Sequence, residues 1–550
     1  MKLRRTAAVA GILALSLGIV ACGGNGGEEE TSPTAGATGE ATEGAPAASS
    51  GIVSFNSTEP QNPLFPADTN EVGGGLVITQ LFAGLVYYDA EGGIHNEVAE
   101  SIETEDSQNY TVTLQDGWTF SDGSPVTANS FVDAWNYSAL LSNAQNNSYF
   151  FEDIQGFSYD EDAELTGLAV VDDLTFTIAL NEPAADFPLR LGYTAYSPLP
   201  QAAFDDPEAF GENPIGNGPY MFASEGAWQH NVRIDLVPNP SYIGGRTVQN
   251  GGVAIIHYQE EDSAYADLLA GNLDVFEGVP NSAIATFEDE LGERSVNQPA
   301  AVIQVITVPE YLEEWSGEAG LLRRQAISHA IDRDQITETI FNGTRTPAKD
   351  FSSPVIDGWT DSVPGNEILE YDPELAQDLW AQAEEIEPWG DRTFTISTNT
   401  DSDHQVWVDA VNNGIRNTLG IEAEINAYPT FAEFLDGRDN QQMPGPFRSG
   451  WQGDYPSMAN FLAPIYTAGA GSNDGFYDNP EFEALMREGN AASSVEEATA
   501  KYIEAQSVLF ADVAGIPLWY QNVTGGWAET VDNVEFGWDS VPLLYQVTKD

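Results

Sequence analysis

The chain has 550 residues, 42% of them hydrophobic and 11% aromatic, which is more than one hydrophobic core holds and enough for two or three folded domains. Its 86 acidic residues stand against 19 basic ones, a balance that excludes electrostatic binding to nucleic acid or to an anionic membrane face. Cys22 is the single cysteine, which excludes intrachain disulfides, thiolate zinc sites and a cysteine nucleophile elsewhere in the chain.

Lys2, Arg4 and Arg5 precede an apolar run at residues 7–20, and Ile19-Val20-Ala21-Cys22 closes it. The run is shorter than the roughly 20 residues of a membrane span, so residues 1–21 read as a signal peptide. Its ending resembles a bacterial lipobox, which implies lipidation of Cys22 and a lipid anchor on the extracytoplasmic face of the cell membrane. Residues 22–50 are mostly Gly, Glu, Thr, Ala, Ser and Pro after the cysteine, a flexible tether that cannot build a core. Only five of the acids lie in this tether. The folded body therefore carries the negative excess along its whole length, which predicts a surface adapted to salt, where screening shortens the reach of self-repulsion.

From Gly51 onward short strands and helices alternate without a repeat. An apolar run at 76–85 leads to Val86-Tyr87-Tyr88 and a turn at Glu91-Gly92-Gly93. The alternation of Tyr110, Val112 and Leu114 with Thr111 and Thr113 predicts a half-buried strand. The turn-rich Ser121 to Pro125 stretch precedes a predicted helix over about 128–141, with Phe131, Ala134, Trp135 and Ala139 on one face. Residues 253–258 read as a strand, 263–270 as a helix stopped by Gly271, and 273–276 as a second strand, a β-α-β unit with parallel strands. The periodicity of 322–340 predicts one amphipathic helix. Asp372-Pro373 and Asn479-Pro480 each place a capping residue before a proline, a helix start. A second β-α-β unit follows from a strand at 392–397, a helix at about 404–419 ended by Gly420, and a strand at 421–427. In such sheets the ligand crevice lies beyond the carboxyl ends of the strands. Here that is the loop 398–404, where His404 could donate to an anion at a helix start, or Ser402 or Asp403 could simply cap the helix.

The stretch 447–456 places Arg448 six residues before Asp454, with Trp451 between them and Gly450 and Gly453 leaving room for a partner to approach the backbone. An Arg fork pairs carboxylates bidentately, an Asp receives an ammonium and a Trp offers an apolar face, so the stretch suits a zwitterion. The same spacing also fits a structural salt bridge beside a core aromatic.

An enzyme finds little support. The chain has no His-Glu-x-x-His, no Gly-x-Ser-x-Gly and no phosphate loop with Lys, and His95, His230, His257, His329 and His404 show no metal spacing. His257 and His329 read as core or helix residues. No cofactor is implied, and carboxylate pairs arise by chance among so many acids.

The folded length resembles the extracytoplasmic peptide-binding proteins of bacterial ABC importers, the family-5 solute-binding proteins. The signs come in order: Asp122-Gly123-Ser124-Pro125 within 120–128, Asn217-Gly218-Pro219-Tyr220 within 216–220, and Asn239-Pro240-Ser241-Tyr242 within 239–245. They continue with Ala330-Ile331-Asp332-Arg333 within 324–333, Tyr371-Asp372-Pro373 within 371–376, Trp451-Gln452-Gly453-Asp454-Tyr455 within 450–455, and Tyr477-Asp478-Asn479-Pro480 within 475–482. The resemblance implies an α/β, two-lobe periplasmic-binding-protein (flytrap) fold with an extra domain inserted in the first lobe. Its boundaries here are 51–85 with 192–300 and 516–550 for lobe I, 86–191 for the inserted domain, and 301–515 for lobe III.

Within the family the chain is similar to the oligopeptide-binding branch. That similarity implies that Asp454 pairs with the peptide ammonium, that Trp451 and Gly453 line the groove, and that Arg448 serves binding near the other end. It further implies that His404 helps to hold peptide carboxylates, that Arg438 is a second groove arginine, that Phe431 stands where the branch stacks a Trp, and that Tyr149 faces the ligand from the inserted domain. A strand edge near Asn70-Glu71-Val72 would pair with the peptide backbone. The partners implied are a peptide, the permease and ATPase subunits of the importer, and no second copy, the protein being a monomer. The alternative cargo on the same fold is a nickel chelate or an oligosaccharide. Gln452 replaces a cysteine common beside the Trp, the order after Tyr455 differs, and a lysine that some relatives use is missing.

Overall fold

Two strands of 13 residues, Ser295–Thr307 and Gly515–Trp527, carry the architecture. Branched and aromatic residues such as Val302, Ile303, Val305 and Ile306 in the first, and Ile516, Trp519 and Tyr520 in the second, suit a pleated and largely buried surface. The strands pair antiparallel from Ser295↔Gly526 to Thr307↔Gly515, with register shifts between Pro299 and Ile303 and between Gln304 and Val305. Pro299 has no N–H for the ladder, so pairing is interrupted there.

The computed structural model describes residues 50–69, 71–400 and 404–549. The expected signal peptide, Cys22, nearly all of the tether, Asn70, and Asp401, Ser402 and Asp403 lie outside the described residues. Among the described residues the two long strands sit inside a 12-stranded sheet. From one edge its order is Ala423–Tyr428, Phe394–Asn399, Phe447–Gln452, Ser295–Thr307, Gly515–Trp527, Val275–Glu277, Ile52–Ser57, Gly252–His257, Arg233–Pro238 and Tyr220–Phe222, with Arg345–Pro347 also on Gly515–Trp527 and Trp228–Gln229 on Arg233–Pro238.

The sheet serves two large cores. One gathers Val53, Leu81, Trp135, Phe176, Leu236 and Leu544; the other gathers Ile303, Ile327, Trp380, Ile396, Val411, Tyr502 and Leu518. These are the two lobes of an α/β fold, and the two long strands contribute to both. A separate four-stranded antiparallel sheet, Ala99–Thr104, Asn109–Leu114, Thr175–Ala179 and Leu168–Asp172, packs with the helix Ala128–Ala139 within the first core.

Both β-α-β units form. Gly252–His257 and Val275–Glu277 run parallel with Ile52–Ser57 between them, and the helix Glu261–Ala270 connects them, ending at Gly271 in the left-handed conformation (φ +73) that a residue without Cβ adopts cheaply. Phe394–Asn399 and Ala423–Tyr428 pair parallel in register across the helix His404–Leu419. The single helix expected over 322–340 is instead two, Gly317–His329 and Arg333–Thr339. Asp332 Oδ1 accepts from the Gln335 N–H at 2.9 Å and so starts a second helix, while the buried Arg333 guanidinium donates to the carbonyls of Ser328, Leu369 and Pro517 at the break. Glu71 and Val72 are not a strand edge. Val72 is the first residue of the helix Val72–Leu81, and Glu71 caps it, accepting from Gly74 N–H at 3.0 and 2.9 Å.

Candidate functional site

Phe447–Gln452 lies in the middle of the sheet, paired with Ser295–Thr307 from Thr307↔Phe447 to Val302↔Gln452. Strand alternation puts Arg448 and Gly450 on one face and Trp451 on the other. On the first face Arg448 donates from Nε and Nη2 to Asn399 Oδ1 at 3.0 and 2.6 Å. Its guanidinium lies 4.8 and 4.9 Å from the ring centres of Phe431 and Phe434, a cation–π arrangement. Asn399 is the last residue of a parallel strand, so this cation stands at the carboxyl end of the sheet, where open α/β sheets bind ligands. Phe431 opens the helix Phe431–Asp439 and is 43% exposed.

His404 opens the neighbouring helix. The Trp407 indole N–H donates to its Nδ1 at 3.0 Å, which leaves the proton of the neutral ring on Nε2. Burial first, and then the charges of Arg448 and Arg345, push His404 down to about 4. At neutral pH it is therefore an uncharged N–H donor between two cations. Arg345, which sequence reasoning passed over, reaches this region from Arg345–Pro347 and stacks on Phe341 at 5.2 Å. Arg448, His404 and Arg345 gather two cations and a neutral N–H donor at one end of the site, a chemistry suited to an anion.

Asp454 forms the other end. Its backbone N–H donates to Asn460 Oδ1 at 2.9 Å and its Oδ2 accepts from Asn460 Nδ2 at 3.0 Å. Burial pushes its carboxyl up to about 6 against that hydrogen bond. Burial first and the Asp454 charge second hold the phenols of Tyr149 and Tyr193 well above their usual range, so both rings are near enough to feel that charge. Phe150 joins them, 4.6 Å from Tyr149 and stacked 4.2 Å from Tyr193. A half-buried carboxylate whose Oδ1 has no donor among the described residues, set near aromatic rings, has the chemistry that suits a cation.

Asn460 was also missed in the sequence, because its role is spatial. It accepts the Trp451 indole N–H at 3.1 Å as well, so one buried amide fixes Trp451 and both ends of Asp454. Trp451 packs partly into the second core. Gly453 does not provide ligand access: a Cβ there would stand 2.9 Å from the Trp538 ring and 3.2 Å from Phe461, so the residue is small to admit those rings. Arg438 is committed elsewhere, to Asp474 at 3.0 Å and Asp439 at 2.9 Å, in a separate pocket lined also by Asn473 and Phe476.

Residues between 153 and 190 reach the Asp454 end of the site. Ser457 Oγ donates to Asp186 Oδ2 at 2.9 Å, the Ala185 N–H donates to Asn490 O at 2.9 Å, and Arg190, paired with Asp186 and Asp153, lies 5.5 Å from the Tyr455 ring centre. His257 and His329 are buried, His257 beside Glu59 and His329 bonded to the Glu370 carbonyl. Among the described residues no group of His, Cys, Asp and Glu is arranged to hold a metal ion, and no helix is long and apolar enough to cross a membrane.

Residues 93–473 match the model of the bacterial extracellular solute-binding proteins, family 5, middle region. The chain is 25% identical over 494 residues to the oligopeptide-binding protein OppA of Bacillus subtilis, covering 85% of this chain and 87% of that one. Among solved structures it is similar to the murein tripeptide binding protein MppA of Escherichia coli, with a TM-score of 0.76 at 22% identity over 92% of this chain and 99% of that chain. It is also similar to OppA of Haemophilus influenzae, with a TM-score of 0.71 at 23% identity over 91% and 99%.

Proposed function

The chain belongs to the bacterial extracellular solute-binding proteins of family 5, and from that premise we propose that it captures short peptides between its two lobes and delivers them to the permease of an ABC importer. Peptide binding is what its relatives' names describe: oligopeptide in the Bacillus subtilis protein and murein peptide in that of Escherichia coli. The observation that carries the proposal is the polarity of the site. A carboxylate with an open oxygen, Asp454, stands six residues along the chain from a cation, Arg448, with neutral His404 and cationic Arg345 beside the latter.

Six residues of extended chain span at most about 20 Å, and a peptide of three to five residues rises about 10–17 Å, so such a peptide can reach both ends. Its ammonium would meet Asp454 and its carboxylate the Arg448 end. Both termini are common to all peptides, so affinity need not depend on side-chain sequence. Lobe I is formed in this reading by 51–85, 192–300 and 516–550, the inserted domain by 86–191 and lobe III by 301–515. Tyr149 approaches from the inserted domain and Asp454 from lobe III, so a ligand touching both favours the closed arrangement that the permease distinguishes. Lipidation at Cys22 would hold the monomeric receptor at the membrane through the tether.

Calorimetric titration with a mixed pool of tri- to pentapeptides, beside the same pool N-acetylated, tests this. Binding of the free-amine pool alone supports a receptor that reads the ammonium. If neither pool binds, the cargo is not a peptide.

A further inference from the structure

Glu277 ends the strand Val275–Glu277 and Arg345 begins Arg345–Pro347, and both strands lie along the Gly515–Trp527 strand, Glu277 opposite Gly525 and Arg345 opposite Gln521. The two residues thus meet where the strands of the two lobes come end to end. Four residues of strand separate them, about 13 Å, and the even spacing puts both side chains on one face. Pro347 is opposite Trp519, Trp519 opposite Gln304, and Gln304 opposite Gly450. That register places Arg345, and with it Glu277, on the face that carries Arg448.

The two charges act on each other across that gap, but among the described residues neither has a close ion-pair partner. Arg345 donates Nη1 to Thr344 O at 2.8 Å and stacks on Phe341, but among the described residues it pairs with no carboxylate, and the Glu277 carboxylate has no hydrogen-bond or ion-pair partner there. The backbone of Glu277 is nevertheless held firmly. Its N–H donates to Asn56 Oδ1 at 3.0 Å, its carbonyl accepts from Asn56 Nδ2 at 2.8 Å, and the Gly278 N–H donates to Thr524 O at 2.8 Å. Gly278 adopts φ +92, and a Cβ on it would stand 3.6 Å from Glu261 Oε1, so a second carboxylate borders the same corner. Burial and the Glu261 charge push the Glu277 carboxyl up to about 7, with Arg345 opposing them. A half-buried carboxylate on a firmly held backbone, with no donor among the described residues, is completed by a cation. Arg345 cannot supply it while holding a peptide carboxylate beside His404 and Arg448.

We infer that Glu277, bordered by Glu261, is a specificity residue that receives a cationic side chain at the carboxyl-terminal end of the bound peptide, next to the carboxylate held by Arg345, His404 and Arg448. This rests on the peptide-binding reading above.

The test is calorimetric titration of the full-length protein with tri- to pentapeptides ending in Lys, beside the same peptides ending in norleucine, which keeps the aliphatic stem and lacks the charge. The Lys series is expected to bind about tenfold more tightly, and Glu277→Gln to lose that preference while its affinity for the norleucine series is unchanged. The variant alters one charge in a net of −67, so the general attraction of an acidic protein for cationic peptides persists and cannot account for the loss. Equal binding of the two series by the wild type, a preference that survives in Glu277→Gln, or an equal loss of both series in the variant overturns the assignment. Binding of the norleucine series shows that the peptide reading stands when the assignment fails; if neither series binds the wild type, both fall.

Discussion

Asn460 holds Asp454 at two points, its amide N–H₂ on the carboxylate Oδ2 at 3.0 Å and its carbonyl on the backbone N–H at 2.9 Å, and among the described residues Oδ1 has no donor. The carboxylate is therefore fixed in place but incompletely solvated, the condition in which a ligand ammonium contributes most. Asp454→Ala is expected to weaken binding of free-amine peptides by about 2 to 5 kcal/mol, the cost of leaving a desolvated ammonium without its partner. Any weak residual affinity for N-acetylated peptides should barely change, and calorimetry on the two pools compares them. An equal loss on both pools would assign Asp454 to structure instead.

The same burial makes Asp454 a stability cost. Its folded value of about 6 lies above the usual carboxylate value of 3.8. The group's destabilisation is thus absent below about 4 and complete above about 6, so its contribution to stability falls as pH rises through that window. Asp454→Asn should raise the stability of the ligand-free protein at pH 7 by about 1–3 kcal/mol, and by progressively less towards pH 4. Binding runs in the opposite sense. Peptide affinity should rise as pH increases through about 6, where the carboxylate becomes charged, and His404 adds no step between pH 5 and 8 because it is already neutral there.

At the other end the ligand group expected is a carboxylate. Arg448→Gln removes a charged donor from Asn399 and from the ligand, and should weaken free-acid peptides by about 1.5–3 kcal/mol. Carboxy-amidated peptides, already deprived of the charge, should lose much less. A variant that weakens both alike would place Arg448 in the support of Asn399 and the Phe431–Asp439 helix alone.

What could be read in advance follows the range of the physics. The helix at His404–Leu419 was legible to the residue because apolar spacing and the terminal Gly420 are local, and the starts after Asp372 and Asn479 were legible because a capping side chain before proline is local too. Arg448 and Asp454, the two proposed ends, lie on one short stretch, so their spacing is local too. Asn460 was not, because nothing in its own helix marks an amide that serves Asp454. Glu277 and Arg345 lie 68 positions apart and meet only through the register of a third strand. Apolar periodicity ran through 322–340 and concealed the break, where the Asp332 cap outweighed it. At Gly453 small size was correctly noticed and wrongly explained, since the space is filled by Trp538 and Phe461.

Gly453→Ala tests that last point. The added methyl would press on two buried rings, at 2.9 and 3.2 Å, in the turn that carries Asp454. Overpacking of this kind costs about 1–3 kcal/mol of stability. Thermal melting should show the loss, and peptide affinity should fall through displacement of Asp454 rather than through blockage of the groove. A variant as stable as the wild type but unable to bind would instead return Gly453 to the ligand surface.

The charge of the whole protein sets a final expectation. With 86 acids against 19 bases, and with most arginines already paired or bonded to carbonyls, the folded surface repels itself. Compact packing brings those charges closer than the unfolded chain does, so screening stabilises the folded state more. The screening length falls from about 10 Å at 0.1 M salt to about 3 Å at 1 M, which removes all but nearest-neighbour repulsion. The melting temperature should therefore climb between 0.1 and 1 M KCl, steeply at first and then level off as the screening length drops below the spacing of neighbouring carboxylates. Guanidinium-free salts of different anions should act alike over that range, since the relevant ion is the cation gathered at the surface. Melting indifferent to KCl would mean that the acids are spaced widely enough not to interact, and would overturn the salt-adapted reading.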